Sequence, residues 1–258
     1  MISSQGRGGP EVRTLADDEA ANLYADLSFP PGLARPHTVM NMVASLDGKI
    51  AIQGRSGRLG SALDHLVLRR LRAAVEGIIV GAGTLRAEEV EYRLPSTLLE
   101  KRLAAGLPPA LTVVVISASG SIPPHRRLFS TPIPSIVPVV LTTNQGAAVA
   151  AGPLAGRARV VPLGDGEVDL PRAMAYLVND LGLRRVVVEG GPTLGAHMLA
   201  GDLVDEVFLT LAPKVVGGSG PTMVGGTAPL PGSPRVVQLV SALAYSDELF
   251  LRYCLPCQ

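Results

Sequence analysis

The sequence predicts an α/β fold in which a mixed, mostly parallel central sheet is covered by helices on both faces. Three observations support this prediction. Short runs that are apolar throughout recur along the chain, segments with helical spacing separate them, and 29 glycines and 22 prolines in 258 residues supply tight turns between them. Continuously apolar runs are typical of strands buried on both faces. Strands that alternate with helices indicate a parallel sheet with right-handed crossovers, and we expect a single three-layer domain.

The first elements follow from local patterns. Residues 1–13 are glycine-rich and polar, which predicts a disordered lead-in, and we expect one domain over residues 14–258. Acidic and apolar residues alternate in helical fashion over residues 14–26, before a proline pair that would stop a helix. The run from His37 to Ala44 is apolar and β-branched, and it predicts a strand that ends at a Ser-Leu-Asp-Gly turn.

Strands and helices then alternate to the C-terminus. Ser61 is suited to cap a helix whose apolar residues recur at helical spacing as far as Val75. Apolar runs predict strands at Gly77 to Val80, Leu111 to Ile116, Val137 to Leu141, Arg159 to Pro162, Arg185 to Val188 and Val207 to Leu211. Helical spacing predicts helices at Leu98 to Ala105, Leu170 to Leu181 and Leu194 to Ala200. Residues 236–255 lack a helical pattern and are expected to form antiparallel strands that close one edge of the sheet.

Composition excludes several functions. The formal net charge is +1 and basic residues occur in pairs at most, so we expect no nucleic-acid partner. Cys254 and Cys257 are too few for a zinc site and lie in the wrong place for a redox motif. No apolar run reaches the roughly 20 residues that span a bilayer, and no signal peptide begins the chain. These features predict a soluble, cytoplasmic protein without a membrane partner.

Two glycine turns follow predicted strands. One contains Gly81, Gly83 and Thr84, and the other is the stretch Glu189-Gly-Gly-Pro-Thr-Leu194. In open α/β sheets ligands bind beyond the carboxyl ends of the strands. Glycines expose backbone N–H groups, and a helix N-terminus adds partial positive charge, so a pyrophosphate could bind at the second turn. Neither turn is a Rossmann fingerprint or a P-loop, and glycines that merely form tight turns are the alternative.

Carboxylates are predicted at the same edge of the sheet. Asp47, Glu88, Glu89 and Glu189 follow strands, and a buried carboxylate could position a ligand amine or move a proton. Glu88 and Glu89 could instead belong to a solvated loop. The four histidines form none of the known metal-binding spacings, so we expect no metal ion.

Several sequence blocks occur together in one order. The blocks are Met42-Val-Ala-Ser-Leu-Asp-Gly-Lys49, Leu71-Arg-Ala73, Val80-Gly-Ala-Gly-Thr84, Glu189-Gly-Gly-Pro-Thr-Leu194, Leu203-Val-Asp-Glu206 and Leu211-Ala-Pro-Lys-Val-Val-Gly217. From about Pro36 to the C-terminus the chain thereby resembles the riboflavin-biosynthesis pyrimidine reductases. This resemblance implies a dihydrofolate reductase-like fold, NADPH as the cofactor, and reduction of the ribosyl group of a ribosylaminopyrimidine 5′-phosphate to a ribityl chain. It also implies a homodimer.

The resemblance assigns roles to individual residues. It places Ala44 beside the nicotinamide, and it assigns cofactor binding to Gly81, Gly83, Thr84, Gly190, Gly191, Pro192, Thr193 and Leu194. It assigns substrate binding to Ser56, Arg72, Glu189 and, slightly out of register, Arg93. Our hypothesis is that Glu88 or Asp47 orients the substrate or assists proton transfer, because both follow strand ends. Ser117, Ser119 and residues 142–144 are candidates for contact with the 2′-phosphate.

The chain departs from the family pattern in two ways. Glu88-Glu89-Val90 stands where the family usually has Asp-Asp-Pro. The zinc deaminase domain fused to many bacterial members is absent from this sequence, so deamination would come from another protein. Two alternatives follow from these departures: a reductase of the same fold that acts on a pterin or folate, and an NADPH-binding protein without catalysis.

Overall fold

One ten-stranded sheet runs through the part of the chain that the computed structural model describes, which is residues 11–225, 230 and 234–255. In spatial order the strands are β1 (Val12–Thr14), β9 (Gln238–Tyr245), β10 (Glu248–Cys254), β8 (Glu206–Ala212), β2 (His37–Ser45), β7 (Arg185–Val188), β3 (Gly77–Gly81), β4 (Leu111–Ser117), β5 (Ile136–Thr142) and β6 (Arg159–Pro162). β10 is antiparallel to both of its neighbours, and the remaining pairs are parallel. The predicted mixed, mostly parallel sheet is confirmed.

Helices connect most of the strands. They are α1 (Asp17–Ala21), α2 (Ala62–Ala73), α3 (Ala82–Ala87), α4 (Ser96–Ala104), α5 (Arg127–Ser130), α6 (Asn144–Ala151), α7 (Leu170–Asn179) and α8 (Pro192–Ala200). The predicted cap of α2 is confirmed, because the Ser61 hydroxyl accepts hydrogen bonds from the amides of Leu63 and Asp64. None of these helices is both long and apolar enough to cross a membrane, as far as the described residues go.

Two hydrophobic cores lie on opposite faces of the sheet. The side chains of β4 alternate between them: Val113 and Val115 pack in the core that contains α2, whereas Val114 packs in the core that contains α7. This alternation is what the pleat of a strand buried on both faces requires. The sheet is therefore the middle layer of three, as predicted.

The N-terminal region differs from its prediction. Residues 1–10 lie outside the described part of the chain, but Val12 and Arg13 belong to β1, so the predicted lead-in is wrong for them. The helix predicted over residues 14–26 is reduced to Asp17–Ala21. Pairing with β9 accounts for the late start of the helix and includes a hydrogen bond of 2.8 Å from the Leu15 amide to the Ala244 carbonyl. Such a long-range partner overrides a local helical pattern. At the other end, Tyr24 has a φ of 56°, which a right-handed helix does not allow.

The C-terminal strands were predicted correctly as antiparallel, but neither of them is the edge strand of the sheet. β9 and β10 are joined by Ser246 and Asp247, whose φ angles of 46° and 67° suit a two-residue hairpin turn. β1 adds beyond β9 and becomes the edge strand. The short helices α5 and α6 had no prediction, because α5 has one turn and α6 consists mostly of small residues.

A buried arginine anchors the end of α2. The Arg102 side chain on α4 is 1% exposed, and burial lowers its pKa to about 10, so it keeps its charge at neutral pH. Among described residues it forms no ion pair, although the charge of Glu76 acts to raise its pKa, and it donates hydrogen bonds to backbone carbonyls instead. These carbonyls belong to Arg72, Ala73, Val75, Pro108 and Ala110. One side chain thus ties the end of α2 to the segment that leads into β4.

We expect Arg102→Met to lower the free energy of unfolding by about 3 kcal/mol or more, because several buried carbonyls would lose their donor at once. Urea denaturation followed by circular dichroism measures the change. Arg172→Met, at an exposed position on α7, is the matched control and should leave the midpoint unchanged. Equal midpoints for Arg102→Met and the wild type would contradict the anchoring role.

Candidate functional site

A cavity of about 800 Å³ opens at the carboxyl ends of β2, β3 and β7. Its walls are the carboxyl half of β2, one face of α2, the segments at residues 50–57 and 87–95, and the turn that follows β7. This volume is in the range of small-molecule sites. The cavity occupies the edge of the sheet where open α/β folds bind ligands.

The structure brings most of the predicted site residues together. The cavity is lined by Ser56, Arg72, Gly83, Thr84, Glu88, Arg93, Glu189, Gly190, Gly191 and Pro192. Five others are not among its described lining residues: Ala44, Asp47, Gly81, Thr193 and Leu194. Ala44 and Leu194 are buried in the core beneath the cavity, and Gly81 and Thr193 flank it in sequence. Asn41, Met42 and Val43 line the cavity from β2 in place of Ala44.

The two glycine turns bind each other. The Gly81 amide donates to the Gly190 carbonyl at 3.0 Å, and the Gly191 amide donates to the Thr84 hydroxyl at 3.1 Å. The φ of Gly190 is 111°, in the region that residues with a side chain rarely adopt. Thr84 lies inside α3, whose N-cap is Gly81, and its side chain binds the other turn.

The expectation that the glycine turns leave their backbone N–H groups unpaired must be revised, because the Gly191 amide already donates a hydrogen bond to Thr84. Other donors remain beside the cavity. The Thr84 hydroxyl still has its own hydrogen to donate. The first amides of α8, at Thr193 and Leu194, have no acceptor within the helix. A methyl group on Gly83 would meet nothing within 4 Å, so the turn after β3 is open on that side. The Thr84 hydroxyl, the first amides of α8 and the open side of Gly83 are the groups that could bind a phosphate here.

Arg72 and Glu189 form a buried ion pair in the cavity wall. Arg72 Nε and Nη2 donate to the two oxygens of Glu189 at 2.6 and 2.7 Å, and both side chains are less than 10% exposed. Arg72 Nη1 donates to the Glu91 carbonyl at 2.6 Å, and the guanidinium lies 5.0 Å from the centre of the Tyr92 ring. Burial opposes the charge of Arg72, but Glu189 raises its pKa. The two residues therefore line the cavity as an ion pair with no net charge.

Glu88 and Glu89 have different partners. Glu88 accepts a hydrogen bond of 2.7 Å from Ser56, which lies in a 3-10 turn at Ser56–Arg58, so the two predicted residues meet across the cavity wall. Glu89 accepts from the Arg127 amide at 2.7 Å and from the Arg126 side chain at 3.3 Å, at the exposed rim. Of the two carboxylates, Glu88 is the one that binds Ser56. Both have hydrogen-bond partners in the protein, so they do not belong to a solvated loop without contacts.

Asp47 stabilises a turn outside the cavity. It accepts hydrogen bonds from the Val216 amide at 2.9 Å, the Ser45 hydroxyl at 2.7 Å and the Gly217 amide at 2.7 Å. These three donors hold the pKa of Asp47 well below its usual value. Asp47 thus connects the turn after β2 to the segment after β8, and as a stable carboxylate it is poorly suited to donate a proton.

Some cavity residues were missed at the sequence level. Asp64, His65, Arg69 and Tyr92 line the cavity but had no assigned role. Three of them lie on α2 with Arg72, at spacings of eight, seven and three residues that place them on the same face of the helix, and this spacing was a usable signal once Arg72 had been placed in the site. Tyr92 is 2% exposed, and its hydroxyl has no hydrogen-bond partner among the described residues.

The remaining candidates lie away from the cavity. Cys254 has a free thiol near Gln238, and Cys257 is outside the described residues. The Ser117 hydroxyl accepts from the Gly120 amide, Thr143 caps α6, and Asn144 binds Asp165, so these three candidates for the 2′-phosphate are engaged at the ends of β4 and β5. In the described part of the chain, no three His, Cys, Asp or Glu side chains are grouped to hold a metal ion.

The sheet lies between two layers of helices, and the cavity opens at its carboxyl edge. This arrangement defines a protein of the dihydrofolate reductase-like fold. A solved structure of a pyrimidine reductase-like protein from Corynebacterium diphtheriae has this fold, with a TM-score of 0.74, 23% identity, and coverage of 86% of this chain and 93% of that one. The chain belongs to the RibD C-terminal domain family, whose model matches residues 36–251.

Two relatives are archaeal proteins named 2,5-diamino-6-ribosylamino-4(3H)-pyrimidinone 5′-phosphate reductase. The protein from Methanothermobacter thermautotrophicus is 33% identical over 71% of this chain and 81% of its own length. The protein from Archaeoglobus fulgidus is 31% identical over 74% of this chain and 87% of its own length. The family predicted from the sequence blocks is thereby confirmed.

We expect Arg72→Met to lower the free energy of unfolding by about 3–5 kcal/mol, because it leaves the Glu189 carboxylate buried and unpaired. The double variant Arg72→Met/Glu189→Leu should lose less than the sum of the two single changes, which a double-mutant cycle in urea measures. Arg13→Met, which removes an exposed ion pair with Glu19, is the control and should leave the midpoint unchanged. Strictly additive losses would mean that the pair is not coupled.

Proposed function

We propose that the protein is an NADPH-dependent reductase that converts the ribosyl group of 2,5-diamino-6-ribosylamino-4(3H)-pyrimidinone 5′-phosphate, or a closely related ribosylaminopyrimidine phosphate, to a ribityl chain. The observation that carries the proposal is one cavity that combines two glycine turns with the Arg72–Glu189 pair. Relatives that are 33% and 31% identical to this chain over 71% and 74% of its length are named as reductases of that compound.

The turns after β3 and β7 fit a dinucleotide. The open side of Gly83, the hydroxyl of Thr84 and the first turn of α8 after Pro192 offer donors to its bridging phosphates. Gly190 and Gly191 let the two turns approach closely, and Gly81 holds them together. The carboxyl half of β2, at residues 41–44, would border the nicotinamide ring. The reduced nicotinamide supplies a hydride, and the protein holds the reactants and excludes water.

The substrate would occupy the part of the cavity near α2. Glu88 and Glu189 are acceptors suited to the amino groups of the pyrimidine, and Ser56 and Arg72 hold these two carboxylates in place. The Arg93 side chain is 62% exposed and lines the cavity, and its guanidinium lies 4.0 Å from Glu91, so it could bind a phosphate. We assign Glu88 an orienting role, and Asp47 a positioning role through the segment at residues 213–217.

Three further parts of the proposal concern the whole protein. Residues 14–258 would act as one domain, since a single sheet contains strands from both ends of the described chain. The family resemblance supports a homodimer, and the composition supports a cytoplasmic location. Size-exclusion chromatography with light scattering would test the dimer, because a monomer at all concentrations would contradict it.

The purified protein should oxidise NADPH in the presence of the ribosylaminopyrimidine phosphate, followed as loss of NADPH absorbance, with the ribityl product identified by mass spectrometry. Dihydrofolate and dihydropterin are the parallel substrates. Turnover with a pterin or folate alone would favour the other reductase of this fold. NADPH binding by calorimetry without turnover of any substrate would favour a protein without catalysis.

We expect Thr84→Val to weaken NADPH binding about tenfold, equivalent to about 1.4 kcal/mol, because it removes a phosphate donor and the acceptor of the Gly191 amide. Isothermal titration calorimetry measures the change. Thr97→Val, at an exposed position on α4, is the matched control and should bind as the wild type does. An unchanged dissociation constant for Thr84→Val would place the phosphates elsewhere.

A further inference from the structure

Asp64 is a carboxyl group inside the cavity that the proposed function does not yet use. It lies in the first turn of α2, is 6% exposed and belongs to the cavity lining. Leu68 and Arg72 follow it at intervals of four residues and also line the cavity, so the three share one face of α2. Asp64 and the Arg72–Glu189 pair therefore face the same ligand space.

The surroundings of Asp64 favour its neutral form. Burial raises its pKa, and Glu248 of β10 adds to this effect; Thr210 of β8, His65 of α2 and Lys214 act in the opposite direction. Glu248 is itself buried and accepts hydrogen bonds from the amide and hydroxyl of Ser61. Lys214 donates its hydrogen bonds to the carbonyls of Arg58 and Leu59 rather than to Asp64. Asp64 forms no ion pair among the described residues.

The carboxyl group of Asp64 has little freedom to move. A methyl group placed on Gly60 would lie 2.0 Å from Asp64 Oδ2 and 2.4 Å from its Cγ. The carboxyl group therefore packs against the Gly60 backbone, and only glycine leaves it room. A side chain with so little free space is preorganised, as proton transfer within a bound complex requires.

The other carboxyl groups of the cavity already bind donors from the protein. Glu189 binds Arg72, Glu91 lies 3.0 Å from Arg127, and Glu89 binds Arg126 and the Arg127 amide. Glu88 also accepts a hydrogen bond, from Ser56.

We propose that Asp64 is the catalytic acid of the reaction and donates its carboxyl proton to the ring oxygen of the substrate's ribose. This inference rests on the proposed function. The bond between C1 and the ring oxygen breaks, the oxygen keeps the electron pair and gains the proton, and the nitrogen lone pair forms the C=N bond. C1 then gains a hydride, and the electron pair of the C=N bond returns to nitrogen. Asp64 is left as a carboxylate and recovers a proton from water, so one proton and one hydride are consumed in each turnover.

The test uses Asp64→Asn, which has the shape of the protonated side chain but cannot donate an acidic proton. We expect single-turnover reduction to slow about 100-fold or more, while calorimetry shows NADPH and substrate dissociation constants within about twofold of the wild type, a change of less than 0.5 kcal/mol. The wild-type rate should fall as pH rises through the raised pKa of Asp64, because the acid must be protonated, and the variant should lack this limb. Asp180→Asn, at the exposed C-cap of α7, is the control and should keep the wild-type rate.

Two further measurements do not depend on turnover by the Asn variant. Carbon-13 NMR of labelled aspartate should show one carboxyl group that titrates above the usual range, and its signal should be missing in Asp64→Asn. Gly60→Ala should displace the carboxyl group and slow reduction while Asp64 itself is retained.

Each outcome has a distinct meaning. A wild-type rate and pH profile in Asp64→Asn would overturn the acid role and leave the proposed function intact. A loss of rate matched by an equal loss of substrate binding would also overturn it, because a binding group explains that result. Absence of turnover by the wild type, with NADPH bound, would overturn the proposed function and the assignment of Asp64 with it.

Discussion

The buried pair of Arg72 and Glu189 is the interaction on which the arrangement of the cavity depends. It joins the end of α2 to the turn after β7 with two short hydrogen bonds, and both side chains are less than 10% exposed. An ion removed from water is tolerated only with its counterion close by, so the helix and the turn must keep this separation. Arg102 reinforces the same helix end through backbone carbonyls, including that of Arg72.

The constraint continues from the β7 turn to β3. Glu189 is followed by Gly190 and Gly191. The Gly190 carbonyl accepts a hydrogen bond from the Gly81 amide, and the Gly191 amide donates one to the Thr84 hydroxyl. The choice between glycines that make tight turns and glycines that bind a ligand is thus not exclusive. The turns use some polar groups to hold each other, and the groups left over, a hydroxyl hydrogen and the amides of a helix start, remain for a ligand.

The carboxyl groups near the cavity show how burial and partners assign chemistry to one residue type. Asp47 is exposed, accepts three hydrogen bonds and stays ionised, whereas Asp64 is buried beside another acid and favours its proton. Carboxyl groups whose environments push their pKa values apart can take different roles in one reaction. Two aspartates of one sequence can therefore have different functions.

Hydrophobic pattern and glycine placement were sufficient to predict the three-layer class and most strands within two residues, because both depend on local spacing. A ligand site was also predicted at the carboxyl edge of the sheet, and the cavity lies there. The ordered sequence blocks also identified the family. Contacts between distant residues could not be obtained in this way: β1 pairs with residues 242–244, and Arg72 meets Glu189 across 117 positions. Which carboxyl group is buried, and which amide already has a partner, depend on the desolvation and geometry that only the folded chain creates.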